Sequence, residues 1–152
     1  MNSTQTTVEP VRKTLVVNCS PERAFEVFTR EVGTWWPTST YSIGGDKIKE
    51  VVFEERVGGR VFERHHDGTE GEWGQMVAWD PPHRFVMSWF PGYDTSEATE
   101  LEIRFTAEGD GTRLELEHRG WDARGAEATE ARNNYDGGWP TVLGYFERAF
   151  EN

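Results

Sequence analysis

His118 is the residue in this sequence whose type and position are best suited to proton transfer. It follows Leu114 and Leu116 at a spacing of two, so on a β-strand it shares their inward face. A histidine with a pKa near neutrality can orient a ligand carbonyl or act as a general acid or base. The alternative is a histidine at a strand end that is hydrogen-bonded to backbone. The sequence leaves both interpretations open.

The remaining candidates for chemistry predict neither a metal site nor a cofactor site. His65 and His66 are adjacent and point to opposite faces of a strand, so they cannot bind one metal together. No HExxH, CxxC, Ser-His-Asp or phosphate-loop pattern occurs. Cys19 has no partner for a disulfide and is interpreted as a small core residue. Four carboxylates that alternate with apolar residues are predicted to form a solvated face: Glu100, Glu102, Glu115 and Glu117.

Aromatic residues make up 13% of a chain that is only 36% hydrophobic, and seven of them are tryptophans. Large rigid rings fill irregular space less completely than Leu or Val, which makes an internal cavity plausible. Strand parity places two sets of inward residues on neighbouring strands: Trp73, Val77 and Trp79, then Phe85, Met87 and Trp89. These rings either pack as core or contact a ligand. Trp35-Trp36-Pro37 is expected either to gate the mouth of such a cavity or to plug the core.

The elements that position these residues follow from turn signals and periodicity. Residues 11–18 read as a strand, and Ser20-Pro21-Glu22 begins a helix, followed near Gly33 by a second short turn. A loop over 38–46 leads to an antiparallel meander. Its six strands are predicted at 48–57, 60–66, 70–79, 83–90, 98–108 and 112–119.

A helical stripe follows, made of Tyr135, Trp139, Val142, Leu143, Phe146 and Phe150. Because Gly137-Gly138 and Pro140 disfavour helix, it is predicted in two pieces, 125–136 and 140–151.

Length and charge restrict the function classes. The 152 residues suit one domain over 11–151 behind a flexible tail, 1–10. The formal net charge of -11 repels phosphate backbones and anionic membrane surfaces, so neither nucleic acid nor membrane insertion is expected. The first residues lack a secretory pattern, and we expect a cytoplasmic protein.

Several motifs, taken in order, carry a family resemblance: Ser20 to Phe25, Trp35-Trp36-Pro37, Arg56 to Arg60, Gly74 through Pro81-Pro82-His83-Arg84 to Trp89, Gly111-Thr112, His118 to Trp121, and Gly138-Trp139. Over residues 11–150 the chain resembles the SRPBCC (START-like) superfamily, in the branch named for the C-terminal domain of the activator of the heat-shock protein 90 ATPase. The resemblance implies an α+β helix-grip fold. In that fold a curved antiparallel sheet of about seven strands wraps around a long C-terminal helix, with two short helices after the first strand.

The resemblance implies a hydrophobic cavity between sheet and C-terminal helix, and hence a protein that binds a small hydrophobic or aromatic molecule. Its alternatives are a co-chaperone-like domain that stimulates a heat-shock protein 90 ATPase, and a cyclase- or hydrolase-like enzyme. The chain lacks room for the separate N-terminal domain of eukaryotic co-chaperones, and it is expected to be a monomer or a homodimer. The candidate cavity residues are Trp35, Trp36, Phe53, Trp73, Met87, Trp89, Leu101, His118, Trp139, Leu143 and Phe146.

Overall fold

A single seven-stranded antiparallel sheet forms most of the molecule, in a computed structural model that describes residues 8–38 and 40–150. The strand order is β1-β7-β6-β5-β4-β3-β2. The strands are β1 Val11–Val17, β2 Ile48–Phe53, β3 Arg60–His65, β4 Glu70–Asp80, β5 Arg84–Trp89, β6 Thr99–Glu108 and β7 Gly111–Arg119. Most of the predicted tail, residues 1–7 of 1–10, lies outside the described residues.

Two α-helices pack on one face of this sheet. Helix α1, Pro21–Thr29, begins where the Ser20 hydroxyl accepts a hydrogen bond from the Arg23 amide, and it buries Phe25 and Phe28. A 3-10 turn follows at Val32–Thr34, and the long helix α2 occupies Ala128–Arg148. These elements confirm the predicted helix-grip fold. Among the described residues, no helix combines the length and apolar character needed to cross a membrane.

The prediction of a C-terminal helix in two pieces is wrong, because α2 runs without interruption through Gly137, Gly138 and Pro140. In a helix interior a glycine costs about 1 kcal/mol and a proline about 3 kcal/mol relative to alanine. The helix offsets this cost by burying four large side chains, each of which contributes roughly 1.5–3 kcal/mol. Those side chains are Trp139, Val142, Leu143 and Phe146. Tertiary packing therefore decides the length of this helix.

Strand β4 departs from the predicted alternation, and Val77 points outward rather than inward. The register of β4 skips one residue against β3 at Trp73 and one against β5 at Val77. Each skip is a β-bulge, which bends the strand and re-aims the side chains beyond it. Trp73 and Met76 are consequently both buried at a spacing of three, while Val77 is 52% exposed.

Glu102 also departs from its prediction, because it is only 8% exposed and not solvated. Its carboxylate accepts hydrogen bonds from Arg119 Nη1 at 2.8 Å and from Arg84 Nη1 at 3.3 Å. Burial raises the pKa of Glu102, but the hydrogen bond and charge of Arg119 outweigh it, so the pKa lies below its usual value. Long arginine side chains from neighbouring strands cover a residue that parity alone places in solvent.

Candidate functional site

A cavity of about 450 Å³ lies between the middle of α2, the segment that follows the 3-10 turn, and the end of β5. Its lining residues are Trp36, Thr40, Tyr41, Ser42, Ile43, Trp89, Pro91, Gly92, Asn134, Tyr135, Gly138, Trp139 and Val142. Thr40, Tyr41, Ile43, Gly92 and Asn134 are solvent-exposed, so the cavity opens at the surface. Within the described part of the chain, none of the lining side chains carries a charge.

Protein acceptors occupy the N–H groups of all three tryptophans of the cavity. Each donates one hydrogen bond: Trp36 to the Tyr41 carbonyl at 2.9 Å, Trp89 to the Tyr135 hydroxyl at 3.1 Å, and Trp139 to His118 Nδ1 at 3.0 Å. An indole has no other polar hydrogen. The tryptophans therefore contribute apolar ring surface to the cavity wall.

His118 lies behind this wall and is completely buried. Because Trp139 donates to Nδ1, that nitrogen is unprotonated, and Nε2 donates to the Thr99 hydroxyl at 2.7 Å. The hydroxyl in turn donates to the Trp89 carbonyl at 3.3 Å. Burial, with a smaller effect from the positive charge of Arg124, holds the pKa of His118 well below its ordinary value. His118 is thus a neutral link between β7, β6 and α2, with both nitrogens occupied.

Glu63 on β3 is a buried carboxylate that the sequence interpretation missed. It is fully buried and accepts four hydrogen bonds: from Trp73 Nε1 at 2.7 Å, the Ile43 amide at 2.9 Å, the Gly44 amide at 2.6 Å and His65 Nε2 at 2.6 Å. Burial raises the pKa of Glu63, but these hydrogen bonds outweigh it and lower the pKa below its usual value. Strand parity does not identify it, because the apolar residues Val61 and Phe62 occupy both parities of β3 and both are buried.

Glu63 influences the shape of the cavity, because it accepts a hydrogen bond from the backbone of Ile43, and Ile43 lines the cavity. Its carboxylate ties the backbone of Ile43 and Gly44 to the sheet, and thereby fixes one side of the cavity mouth. A second hydrogen-bond set holds the same segment, in which the Ser42 hydroxyl donates to the Thr38 carbonyl and accepts from the Gly45 amide. The mouth is therefore built by a loop whose anchoring residue lies 20 positions away in the chain.

Three of the eleven predicted cavity residues line this cavity, namely Trp36, Trp89 and Trp139. Trp35 instead donates to the Val27 carbonyl at 2.9 Å and packs on Phe28 and Phe146. The two residues of the Trp35-Trp36 pair therefore differ in location: the Trp35 ring lies in the core, and the Trp36 ring lines the cavity. The remaining predicted residues are also buried in the core outside the lining: Phe53, Trp73, Met87, Leu101, His118, Leu143 and Phe146.

The predicted set missed Tyr41, Ile43, Asn134, Tyr135 and Gly138, which all line the cavity. Tyr135 could have been found, because it belongs to the apolar stripe of the C-terminal helix. Tyr41 and Ile43 lie in an irregular loop, where no periodicity indicates which way a side chain points.

Solved structures with related sequences or folds include two proteins with names that describe a function. The chain is 37% identical to the anthrahydroquino-γ-pyrone synthase Txn09, with a TM-score of 0.65, and the match covers 93% of this chain and 97% of that one. It is 27% identical to CalC, a self-sacrificing resistance protein from Micromonospora echinospora, with a TM-score of 0.67 and 94% of each chain covered.

A third structure shows the same fold at lower identity. The Aha1 dimer from Colwellia psychrerythraea is 16% identical, with a TM-score of 0.68, covering 93% of this chain and 96% of that one. None of the curated proteins compared with the chain matches it. Residues 18–151 match the family model described as Activator of Hsp90 ATPase homolog 1-like protein, and the chain therefore belongs to that family.

Proposed function

We propose that this chain is a cytoplasmic protein that binds a small, uncharged, largely aromatic molecule in the cavity beside α2. The observation that carries the proposal is the wall itself, where three largely buried indole rings contribute only apolar surface and none of the described lining side chains is charged. The volume of about 450 Å³ falls within the range of small-molecule pockets. Burial of a planar ring against these faces supplies the binding free energy.

Similarity to one solved protein supports fused-ring aromatic compounds as the ligand class. Txn09, at 37% identity, is named as the synthase of an anthrahydroquino-γ-pyrone, which is a fused aromatic ring system. A flat polycycle also matches the chemistry of the wall, because aromatic rings pack on indoles in offset-stacked or edge-to-face arrangements.

Adjacent glycines in α2 provide a matched test of the site. Gly138 lines the cavity, and a β-carbon there would lie 3.4 Å from Tyr41 Cε1, whereas a β-carbon at Gly137 would meet nothing within 4 Å. We expect Gly138→Leu to fill the cavity and weaken binding of a fused-ring aromatic, measured by isothermal titration calorimetry, by about 10-fold or more. Gly137→Leu should bind like the parent protein. Equal affinities in both variants would show that the ligand binds elsewhere, and failure of a panel of such compounds to bind the parent would refute the proposal.

An enzymatic role is the second candidate, favoured by the 37% identity to a synthase. It would be cyclase-like or hydrolase-like and would use the same cavity. His118 gives it little support, since both ring nitrogens are occupied and the imidazole is neutral. Conversion of an aromatic polyketide precursor by purified protein, followed by mass spectrometry, tests this role. An unchanged precursor after prolonged incubation argues for binding alone.

A co-chaperone role is a further alternative, because the matching family is named for an activator of the Hsp90 ATPase. The ATPase rate of the host's heat-shock protein 90 homologue, measured with saturating amounts of this chain, decides it. Stimulation would establish the role, and an unchanged rate would remove it.

The homodimeric Aha1 structure has the same fold, and sedimentation equilibrium will assign monomer or homodimer to this chain.

A further inference from the structure

Tyr135 is the residue at the cavity wall whose hydrogen-bonding capacity is only half used. Its hydroxyl oxygen accepts the hydrogen bond from Trp89 Nε1 at 3.1 Å. The direction of this bond is fixed, because an indole nitrogen donates and never accepts. The phenolic hydrogen must therefore point away from Trp89. Among residues 8–38 and 40–150, no protein acceptor takes that hydrogen.

The surroundings hold the Tyr135 ring in place. Its centroid lies 4.9 Å from that of His118 and 5.3 Å from the nearest ring of Trp121. Both Tyr135 and Trp89 line the cavity, so their hydrogen bond lies at the wall. A donor held this way requires little ordering when a ligand binds.

Other polar groups of the wall are either occupied or located at the exposed rim. The Ser42 hydroxyl is engaged by Thr38 and Gly45. The three indole N–H groups are engaged as described above. Tyr41, Thr40 and Asn134 are exposed to solvent, where water competes for their hydrogen bonds. Tyr135 is half-buried, so among the described lining side chains its hydroxyl is the donor best shielded from water that has no acceptor.

We propose that Tyr135 determines ligand specificity by donating a hydrogen bond to a carbonyl oxygen, so that the preferred ligand is an uncharged aromatic ketone or quinone. This inference rests on the proposed function and narrows it. A carbonyl has no proton and accepts in the plane of its ring, so a flat molecule can stack on the indoles while its oxygen meets the hydroxyl. A polycycle without such an acceptor leaves the donor unpaired when it displaces water, which costs affinity.

The test uses 9-fluorenone and fluorene, which have nearly the same shape and differ in carrying a C=O or a CH₂ group. We expect the parent protein to bind 9-fluorenone about 10-fold more tightly, the value of one hydrogen bond between neutral groups. Tyr135→Phe should reduce this ratio to about one. The variant also frees the Trp89 Nε1 donor, which can itself pair with a carbonyl, so the double variant Tyr135→Phe/Trp89→Phe, which lacks both donors, should give the same ratio of about one. Tyr41→Phe, which removes the other phenol of the cavity, should keep the ratio of the parent.

Infrared spectroscopy gives a second readout, the first part of which uses the parent protein alone. The C=O stretch of 9-fluorenone bound to the parent protein should lie below its frequency in an aprotic solvent, and Tyr135→Phe should restore that frequency. An unshifted stretch, equal affinity of the parent for both compounds, or loss of the preference in Tyr41→Phe but not in Tyr135→Phe would overturn the role of Tyr135. These results would leave the proposed function intact. Failure of both compounds to bind would instead count against the proposed function and would remove this inference with it.

Discussion

At the scale of single residues, His118 is the buried polar group that orients Trp139 in the aromatic wall of the cavity. Its two ring nitrogens join Trp139 on the helix to Thr99 on the sheet, and its carbonyl accepts from Trp121 Nε1 at 2.9 Å. A buried imidazole with both nitrogens paired is stable in its neutral form and cannot accept a proton without losing the bond from Trp139. Its main effect is therefore to orient Trp139, which lines the cavity.

The lowered pKa of His118 predicts a stability change in mildly acidic solution. In the unfolded chain a histidine takes up its proton near pH 6.5, whereas in the folded protein His118 does so only at lower pH. The stabilising contribution is therefore complete above about pH 6.5 and is lost as pH falls toward the folded-state value. Between about pH 7.5 and pH 5.5 this linkage should lower the free energy of unfolding by about 1 kcal/mol, measured by urea denaturation.

Two variants isolate that contribution. His118→Asn should be less stable at every pH, but its free energy of unfolding should fall less than that of the parent over the same range. His83→Asn changes an exposed histidine and should follow the parent. Parallel curves for His118→Asn and the parent would mean that His118 titrates normally in the folded protein.

At the scale of secondary-structure elements, Glu63 connects β3 with the loop that forms the cavity mouth. Two of its four hydrogen-bond donors are backbone amides of that loop, and a third is the buried Trp73 on β4. An ionised carboxylate offers only acceptors, which suits a position surrounded by donors. The loop has no regular structure of its own at Ile43 and Gly44, and Glu63 is the side chain that bonds it to the sheet at these two residues.

Glu63→Gln replaces one acceptor oxygen with an NH₂ group that faces these donors. We expect the free energy of unfolding to fall by about 2 kcal/mol or more, and the amides of Ile43 and Gly44 to exchange faster with deuterium. Affinity for 9-fluorenone should fall as well. Glu50→Gln, in an exposed ion pair with Arg64, should change stability by less than about 1 kcal/mol. Unchanged amide exchange in Glu63→Gln would exclude Glu63 as the anchor of the loop.

At the scale of the whole molecule, the order of elements could be predicted because local signals and global fold agree. Gly and Pro turns bound each strand of the meander, and the 2-residue period of β7 matches its burial. The residues that form the cavity wall could be predicted only in part from the sequence. The bulge at Val77, the buried Glu63 and the continuous α2 all result from contacts between distant segments, for which a single sequence has no local signal.

The overall charge makes a prediction about the kind of molecule that reaches the cavity. The formal net charge of -11 repels anions, while the described lining residues carry no charge to compensate. Raising NaCl from about 20 mM to about 300 mM shortens the Debye length from about 20 Å to about 6 Å. The affinity for 9-fluorenone, measured by calorimetry, should change by less than about 2-fold over this range.

A carboxylate derivative of fluorenone serves as the charged comparison. It should bind more weakly than 9-fluorenone, and its affinity should rise with salt as the repulsion is screened. Tighter binding of the carboxylate at low salt would reveal a positive potential in the cavity and would contradict this account.

Five of the seven tryptophans form one continuous group. Neighbouring ring centroids are 5.6 Å apart between Trp35 and Trp36, 5.0 Å between Trp36 and Trp73, 5.8 Å between Trp73 and Trp89, and 5.6 Å between Trp89 and Trp139. At such separations an excited indole passes its energy to the next one before it emits. A ligand that absorbs at the wavelength of indole emission and binds against Trp36 or Trp139 will therefore also quench emission that began at Trp35 or Trp73, so occupation of the cavity can be followed by the fluorescence of all five linked tryptophans.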